Sequence, residues 1–342
     1  MDKAESSVKG TGIISIFEKE IKKIQEEIDK SDSGSYENIA VIAEPYSGIE
    51  HIFDKILGDN SQKINNIKLF SPVTDTDFFS NIYAGKKIAL VHNCQYLYTR
   101  KCGGFEILDH FMNLVSSEDR LFITGWNKFA WNYLKEITNI EDLFEVQITI
   151  PELDSKSIMN LIMADAKGSI SFIDDREMKR DKFLSVEKCQ VRLPFLHTEK
   201  SACKLKLKPG ALKGRKSRTK EEIETEAFQK ITRLAGGKYD IARIIWKNTM
   251  KDNELRLGKI PEIPAADISN FDEAYILSII ISMDTVGYED LLEIAGSNIN
   301  LKQKLQSLKF SGLIEVSENL CRVNPEAINS VIYELRKRRL VW

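Results

Sequence analysis

Eight residues between two apolar runs hold the groups that could do chemistry: Ala43-Glu44-Pro45-Tyr46-Ser47-Gly48-Ile49-Glu50. Ile39–Ala43 reads as a buried strand and residues 52–57 as a helix, so the eight form a strand-to-helix turn. Their spacing is that of the phosphate-binding pattern G-x-x-x-x-G-K-[ST]. There, backbone N–H groups cradle phosphate, Lys neutralises the β/γ charge and the hydroxyl holds Mg²⁺. Gly48 keeps the second glycine, Ala43 stands at the first, Ile49 at the Lys position and Glu50 at the hydroxyl position. An apolar side chain and a carboxylate would face the place of the phosphate charge. The loop is therefore expected to keep the shape of a nucleotide site without its hydrolysis. A strand, a Gly-containing turn and a helix also occur in any α/β domain, so the surrounding elements must decide.

Those elements alternate. Ile13, Ile16, Phe17, Ile21, Ile24 and Ile28 have helical spacing, and Ser31-Asp32-Ser33-Gly34-Ser35 breaks the helix. A second strand is expected over 64–70, and Ile88-Ala89-Leu90-Val91 suits the middle of a parallel sheet. An amphipathic helix over 105–115, a strand over 121–125, a helix over 129–137 and a strand over 146–150 complete the series. This predicts an α/β fold, a parallel sheet with helices on both faces. The divisions expected are an N-terminal helix (1–35), the α/β core (36–155), an irregular β-containing insertion ending in a basic loop (156–220), a helical segment (221–260) and a last unit (265–342). A helix over 155–166 opens the insertion, and β-like stretches follow at 170–173 and 186–196. Between Lys200 and Lys220 nine Lys and Arg residues stand without an acidic one.

Net charge is −2 over 342 residues, so any attraction to nucleic acid must be local. No apolar run approaches the roughly 20 residues of a membrane span. The polar start lacks the apolar stretch of a signal peptide, and five scattered cysteines read as reduced thiols, which together suggest the cytoplasm.

With these segments in order, the chain resembles AAA+ and related P-loop ATPases: an NTPase-like core with a small helical lid. The lid resemblance lies in Phe228-Gln229-Lys230-Ile231-Thr232-Arg233-Leu234-Ala235-Gly236-Gly237 and Ala242-Arg243-Ile244-Ile245-Trp246, similar to the lid of archaeal AAA+ proteins. Gly103-Gly104-Phe105-Glu106-Ile107-Leu108 and Trp126-Asn127-Lys128-Phe129-Ala130-Trp131 also resemble segments of archaeal ATPases. The likeness covers about residues 37–250. It implies two acids at the end of the Walker B strand, where this chain has His92 and Asn93. It implies a sensor-two Arg after the lid glycines; Asp240 falls there, with Arg243 one turn on. Asn127 matches a sensor-one position, with Thr124 an alternative. Charge neutralisation and metal carry phosphoryl transfer almost entirely, so the departures imply a pseudo-ATPase with no catalytic residues. His92, Cys94, Cys102 and His110 lack a zinc spacing, and His92/Cys94 has no third group to orient a nucleophile.

Residues 270–342 read as helix, helix, helix, two-stranded wing and helix, which resembles a winged helix. Its third helix offers Lys302, Gln303, Gln306 and Lys309 to a groove, while the wing carries Glu315 and Glu318. Further contacts to nucleic acid would come from Lys213, Arg215, Lys216 and Arg218, and from Arg336 and Arg338.

The sequence thus points to a catalytically inactive, AAA+-like regulatory or scaffolding protein with a winged-helix interaction module. The alternatives are a DNA-binding protein of replication-initiator-like layout and an ATPase completed by a partner subunit. No cofactor is expected beyond weak ATP or ADP binding. The expected partner is a protein, an intact ATPase paralogue among the options, with DNA as the alternative. Finally, with no phosphate to bind, Glu50 or Glu44 is expected to accept from the loop N–H groups, and Ile49 or Tyr46 to fill the vacant volume.

Overall fold

The computed structural model describes residues 11–342 apart from 83–85, 167, 177–183, 193–198, 208–217, 265, 269 and 297. The chain divides into two compact units, Met1–Gly168 with Phe228–Asn248 and Pro261–Trp342, and Ser169–Ala227 with Thr249–Ile260.

In the first unit, α1 (Thr11–Ile16) and α2 (Glu18–Lys30) lead into β1 (Ile39–Ala43). Then come α3 (Ile49–Asn60), β2 (Ile64–Lys68), β3 (Ile88–His92), α4 (Glu106–Ser117), β4 (Leu121–Asn127), α5 (Lys128–Ile137), β5 (Val146–Thr149) and α6 (Ser155–Asp165). The five strands form one parallel sheet in the order β2-β3-β4-β1-β5. The three central strands are buried along their whole length, which is why they read as unbroken apolar runs. The outer strands β2 and β5 mix buried with open positions, as sheet edges do. Parallel pairing brings the carboxyl ends of all strands to one edge, and Ala43 lies level with Asn127. That edge is where open α/β sheets bind ligands. Phe53 of α3 lies against Gly125, where a Cβ would come within 2.6 Å of its ring. The glycine is thus what lets the loop's helix settle on β4.

The second unit contains β6 (Ser171–Ile173), β7 (Leu184–Arg192) and β8 (Glu199–Leu207). β7 and β8 form an antiparallel hairpin. Residues 199–207 were expected to begin a basic loop and instead form a strand. Cys203, Leu205 and Leu207 alternate with Lys204 and Lys206, a period-two pattern that the run of lysines masks. The unit also takes in the start of α7 (Lys220–Ala235), whose later residues, with α8 (Tyr239–Thr249) as far as Asn248, belong to the first. β9 (Glu254–Arg256) pairs in parallel with β6.

The chain ends with α9 (Phe271–Met283), β10 (Thr285–Gly287), α10 (Tyr288–Ala295), α11 (Leu301–Phe310), β11 (Ile314–Ser317), β12 (Leu320–Val323) and α12 (Ile328–Lys337). α9 is buried on nearly all sides and forms the centre of this segment. β11 and β12 turn through Glu318 and Asn319, both left-handed, the geometry of a tight two-residue hairpin. β10 adds a third strand to β12. At three residues it is too short to show a period in sequence.

Candidate functional site

The loop after β1 is held in shape by its own residues. Ser47 N–H and Oγ–H both donate to the Glu44 carbonyl, at 3.2 and 2.7 Å. Tyr46 (φ 64°) and Gly48 (φ 88°) take left-handed backbone, and the chain enters α3 directly after. A cleft of about 220 Å³ lies against the loop. Residues 43–50 line it, with Phe53 of α3, Asn93 beyond β3, Gln95 of the 3-10 turn Cys94–Leu97, Gly125, Trp126 and Asn127 of β4, Asp240 of α8 and Asp284 beyond α9.

Among the described residues, four of those lining the cleft are carboxylates and none is Lys or Arg. Their partners differ. Glu44, 7% exposed, receives Lys128 at 2.9 Å, Lys238 at 3.1 Å and Arg336 at 3.1 Å. Burial pushes its carboxyl up, but the Lys238 charge and the Lys128 hydrogen bond and charge outweigh burial and hold it low. Glu50 pairs with Lys68 and faces His92 Nδ1 at 3.5 Å. Burial opposes its ionisation, yet the bonds from His92 and Lys68 bring it down to about 2. Asp240 pairs with His51 at 3.6 Å, and that bond raises the imidazole above its usual range. Among the described residues, Asp284 receives only neutral donors, Gln95 Nε2 at 2.7 Å and Asn127 Nδ2 at 2.9 Å. Burial pushes its carboxyl up to about 7, against the Asn127 bond and aided by the Glu50 charge.

The expectation that Glu44 or Glu50 replaces phosphate is corrected here. Both carboxylates turn to side-chain cations, because a full charge with a hydrogen bond outweighs a bond to a neutral amide. The cleft also stays open, with Ile49 and Tyr46 on its wall instead of filling it. The residues present do not fit a magnesium nucleotide. The described wall offers no cation to a triphosphate, its carboxylates would repel one, and the nearby basic groups already hold Glu44 and Glu50.

The remaining sequence candidates fall out as follows. Asn127 caps α5 by accepting from Phe129 and Ala130 N–H, and donates to the Ile281 carbonyl as well as Asp284. His92 is buried behind Glu50 with Nε2 unpartnered, and Asn93 donates to the Leu69 carbonyl. Arg243 is half-buried and does not line the cleft. Cys94 is buried, which pushes its thiol up and away from nucleophilic use. Among the described residues no cluster of three or more His, Cys, Asp or Glu is placed to hold a metal. Lys302, Gln303, Gln306 and Lys309 lie along α11, all four exposed. Arg336 is bound to Glu44, Arg338 donates to the Ile268 carbonyl, and Arg218 pairs with Asp174 and Glu226, so these three are not free for phosphate. Lys213, Arg215 and Lys216 lie outside the described residues.

Sequence reasoning missed Gln95, Lys128, Lys238 and Asp284. Asp284 had a signal. A carboxylate directly after a helix sits against the helix dipole and needs a compensating partner.

No protein-family model matches the chain, and no curated protein does. Among solved structures, the chain is similar to the Aeropyrum pernix ORC2 protein, in ADPNP–ADP complexes, at 10% identity over 95% of each chain with a TM-score of 0.43. It is similar to Cdc6p of Pyrobaculum aerophilum at 12% identity over 95% of this chain and 94% of that one, with a TM-score of 0.42. The RuvB Holliday junction branch migration motor of Thermotoga maritima gives 10% identity over 89% of this chain and 91% of that one, with a TM-score of 0.40. At these scores the likenesses carry nothing about what this chain binds or does.

Proposed function

We propose that the protein is an AAA+-like pseudo-ATPase that acts as a regulatory or scaffolding subunit, with its last segment serving as a winged-helix interaction module. The observation that supports this most is the composition of the described cleft wall: four carboxylates, no Lys or Arg, and Ile49 at the position of the phosphate-binding lysine. Electrostatic stabilisation and metal are nearly the whole of phosphoryl-transfer catalysis, and this wall supplies neither. Calorimetry of the full chain with Mg-ATP tests the reading. Binding is expected to be weak and indifferent to Mg²⁺. Micromolar, Mg²⁺-dependent binding would overturn it. The double change Ile49→Lys/Glu50→Thr is expected to gain some nucleotide binding and no turnover, since His92 and Asn93 remain.

A second reading, DNA binding, is favoured by one feature: α11 presents Lys302, Gln303, Gln306 and Lys309 as exposed side chains. Binding of that kind would weaken with salt by about 0.9 log units per log unit for each phosphate neutralised. Lys302→Ala/Lys309→Ala would flatten that slope in a fluorescence titration with duplex DNA. A slope unchanged by the double variant rules α11 out as the contact.

A further inference from the structure

In the second unit, β7 and β8 pair with each other and with no third strand. Their register is unbroken from Leu184 across from Leu207 to Arg192 across from Glu199. Opposed residues of an antiparallel pair share a face, and so do alternate residues along a strand. The register therefore sorts the ribbon into two unlike faces. One takes Leu184, Val186, Leu205 and Leu207 together at the open end of the hairpin. The other takes Lys200, Lys204 and Lys206, with Glu187 as its one acid. That acid stands across from Lys204, whereas Lys200 stands across from Val191 and Lys206 from Ser185. Two of the three lysines thus have no acid directly opposite.

A hairpin of two strands is marginal by itself and needs one face covered. The four apolar residues mark the face suited to a core, and they leave the lysine face for water or a partner. The lysines make a narrow strip. At about 3.4 Å per residue, Lys204 and Lys206 lie about 7 Å apart, and Lys200 about 14 Å before Lys204. Such a strip complements a linear polyanion, and it stands in a chain whose net charge is only −2.

We propose that this lysine face binds the phosphate backbone of duplex DNA without reading its sequence. A two-stranded ribbon fits the major groove, which is about 12 Å wide. Lysine offers phosphate a compact point charge, and the face holds no Arg, Asn or Gln, the usual readers of base edges. A membrane surface of the same charge would call for Trp, Phe or Leu beside the lysines, and the leucines fall on the opposite face. The site depends neither on the pseudo-ATPase reading nor on α11.

Fluorescence titration of the full chain with labelled duplex DNA of arbitrary sequence tests this, over a range of salt. In the wild type the logarithm of the affinity is expected to fall linearly with that of the salt concentration. The variant Lys200→Ala/Lys204→Ala/Lys206→Ala is expected to flatten that slope by about 0.9 for each lysine that meets a phosphate. It is also expected to weaken binding about tenfold or more at low salt, and alike on unrelated sequences. Glu187→Gln, which takes the acid off the face, is expected to tighten binding severalfold, an outcome that misfolding does not produce. No binding by the wild type at low salt overturns the proposal, and so does a slope that the triple variant leaves unchanged. Should the triple variant not fold, Glu187→Gln decides, and binding that it leaves unchanged or weakens overturns the proposal. A wild type that binds phosphatidylserine vesicles in place of the duplex overturns it as well. Lys302→Ala/Lys309→Ala reads only α11, and Mg-ATP calorimetry only the pseudo-ATPase reading, so the three fail separately.

Discussion

Glu44 and Asp284 line the same cleft and are treated in opposite ways. Glu44 is buried among three cations and is held ionised. Among the described residues, Asp284 meets two amides and no cation, and burial drives it toward the neutral acid. The difference shows what decides the state of a carboxylate drawn partly or wholly out of water. Desolvation opposes the charge at both sites, and only at Glu44 is there enough positive charge within 3.1 Å to reverse it. A cleft of one shape therefore holds one group whose support for the fold requires ionisation and another whose support requires a proton.

The largest effect is expected from removing the ionised member. Glu44→Gln leaves Lys238, 3% exposed, without a counter-charge. Breaking a buried pair in this way costs about 3 kcal/mol, read as a loss of unfolding free energy in urea. Lys238→Met in the same chain is expected to restore more than half of it, because the stranded charge goes too. Arg336→Ala and Lys128→Ala, whose side chains are 46% and 31% exposed, are expected to cost about 1 kcal/mol or less each. If either matched Glu44→Gln, the weight of the cluster would lie at its rim and not on Lys238.

A smaller effect of opposite sign is expected at the neutral member. Asp284→Asn, which sets its own NH2 against one of the two amide donors, should cost stability at low pH and gain on the wild type by about 1–2 kcal/mol as pH rises from about 4 to 8. Glu44, with its pKa lowered, contributes above its free value near 4.5, and that contribution is lost as pH falls through the lowered value. Glu44→Gln should thus flatten the acid limb of a stability–pH profile and Asp284→Asn the neutral limb. Identical profiles for the two variants would remove the distinction between the sites.

The sheet could be read from the chain because its central strands are continuous apolar runs, and the loop because Gly48 and the flanking elements keep a fixed spacing. The strand order could not. Nothing local to β1 says that β4 and β5 will flank it, since that depends on crossovers set by the whole unit. The chemistry of the cleft was readable only in its losses, Ile49 and Glu50, which lie within one turn of chain. Its gains come from far away: Arg336 is 292 residues from Glu44, and Asp284 is 157 from Asn127. Such pairs have no spacing to betray them. The expected phosphate mimicry at Glu50 failed for the same reason, because Lys68 arrives from the edge strand β2 and outcompetes the loop amides.

The smallest effect is expected where the geometry of an ion pair is good and its setting is open. Arg322 lies directly across from Glu315 on the β11–β12 hairpin and gives two bonds, 2.9 and 2.6 Å, to one carboxylate oxygen. By distance alone this pair equals those of Glu44. Its side chains, however, are 51% and 42% exposed, so water competes for both partners and salt screens what remains. A double-mutant cycle with Arg322→Ala and Glu315→Ala is expected to give a coupling of about 0.5 kcal/mol, falling toward zero in roughly 1 M salt. The same cycle on Glu44 and Lys238 is expected to give several times more and to survive the salt, because neither partner is open to it. Equal couplings, or equal salt dependence, would mean that burial does not set the strength of these pairs, and the contrast between Glu44 and Asp284 would then need another cause.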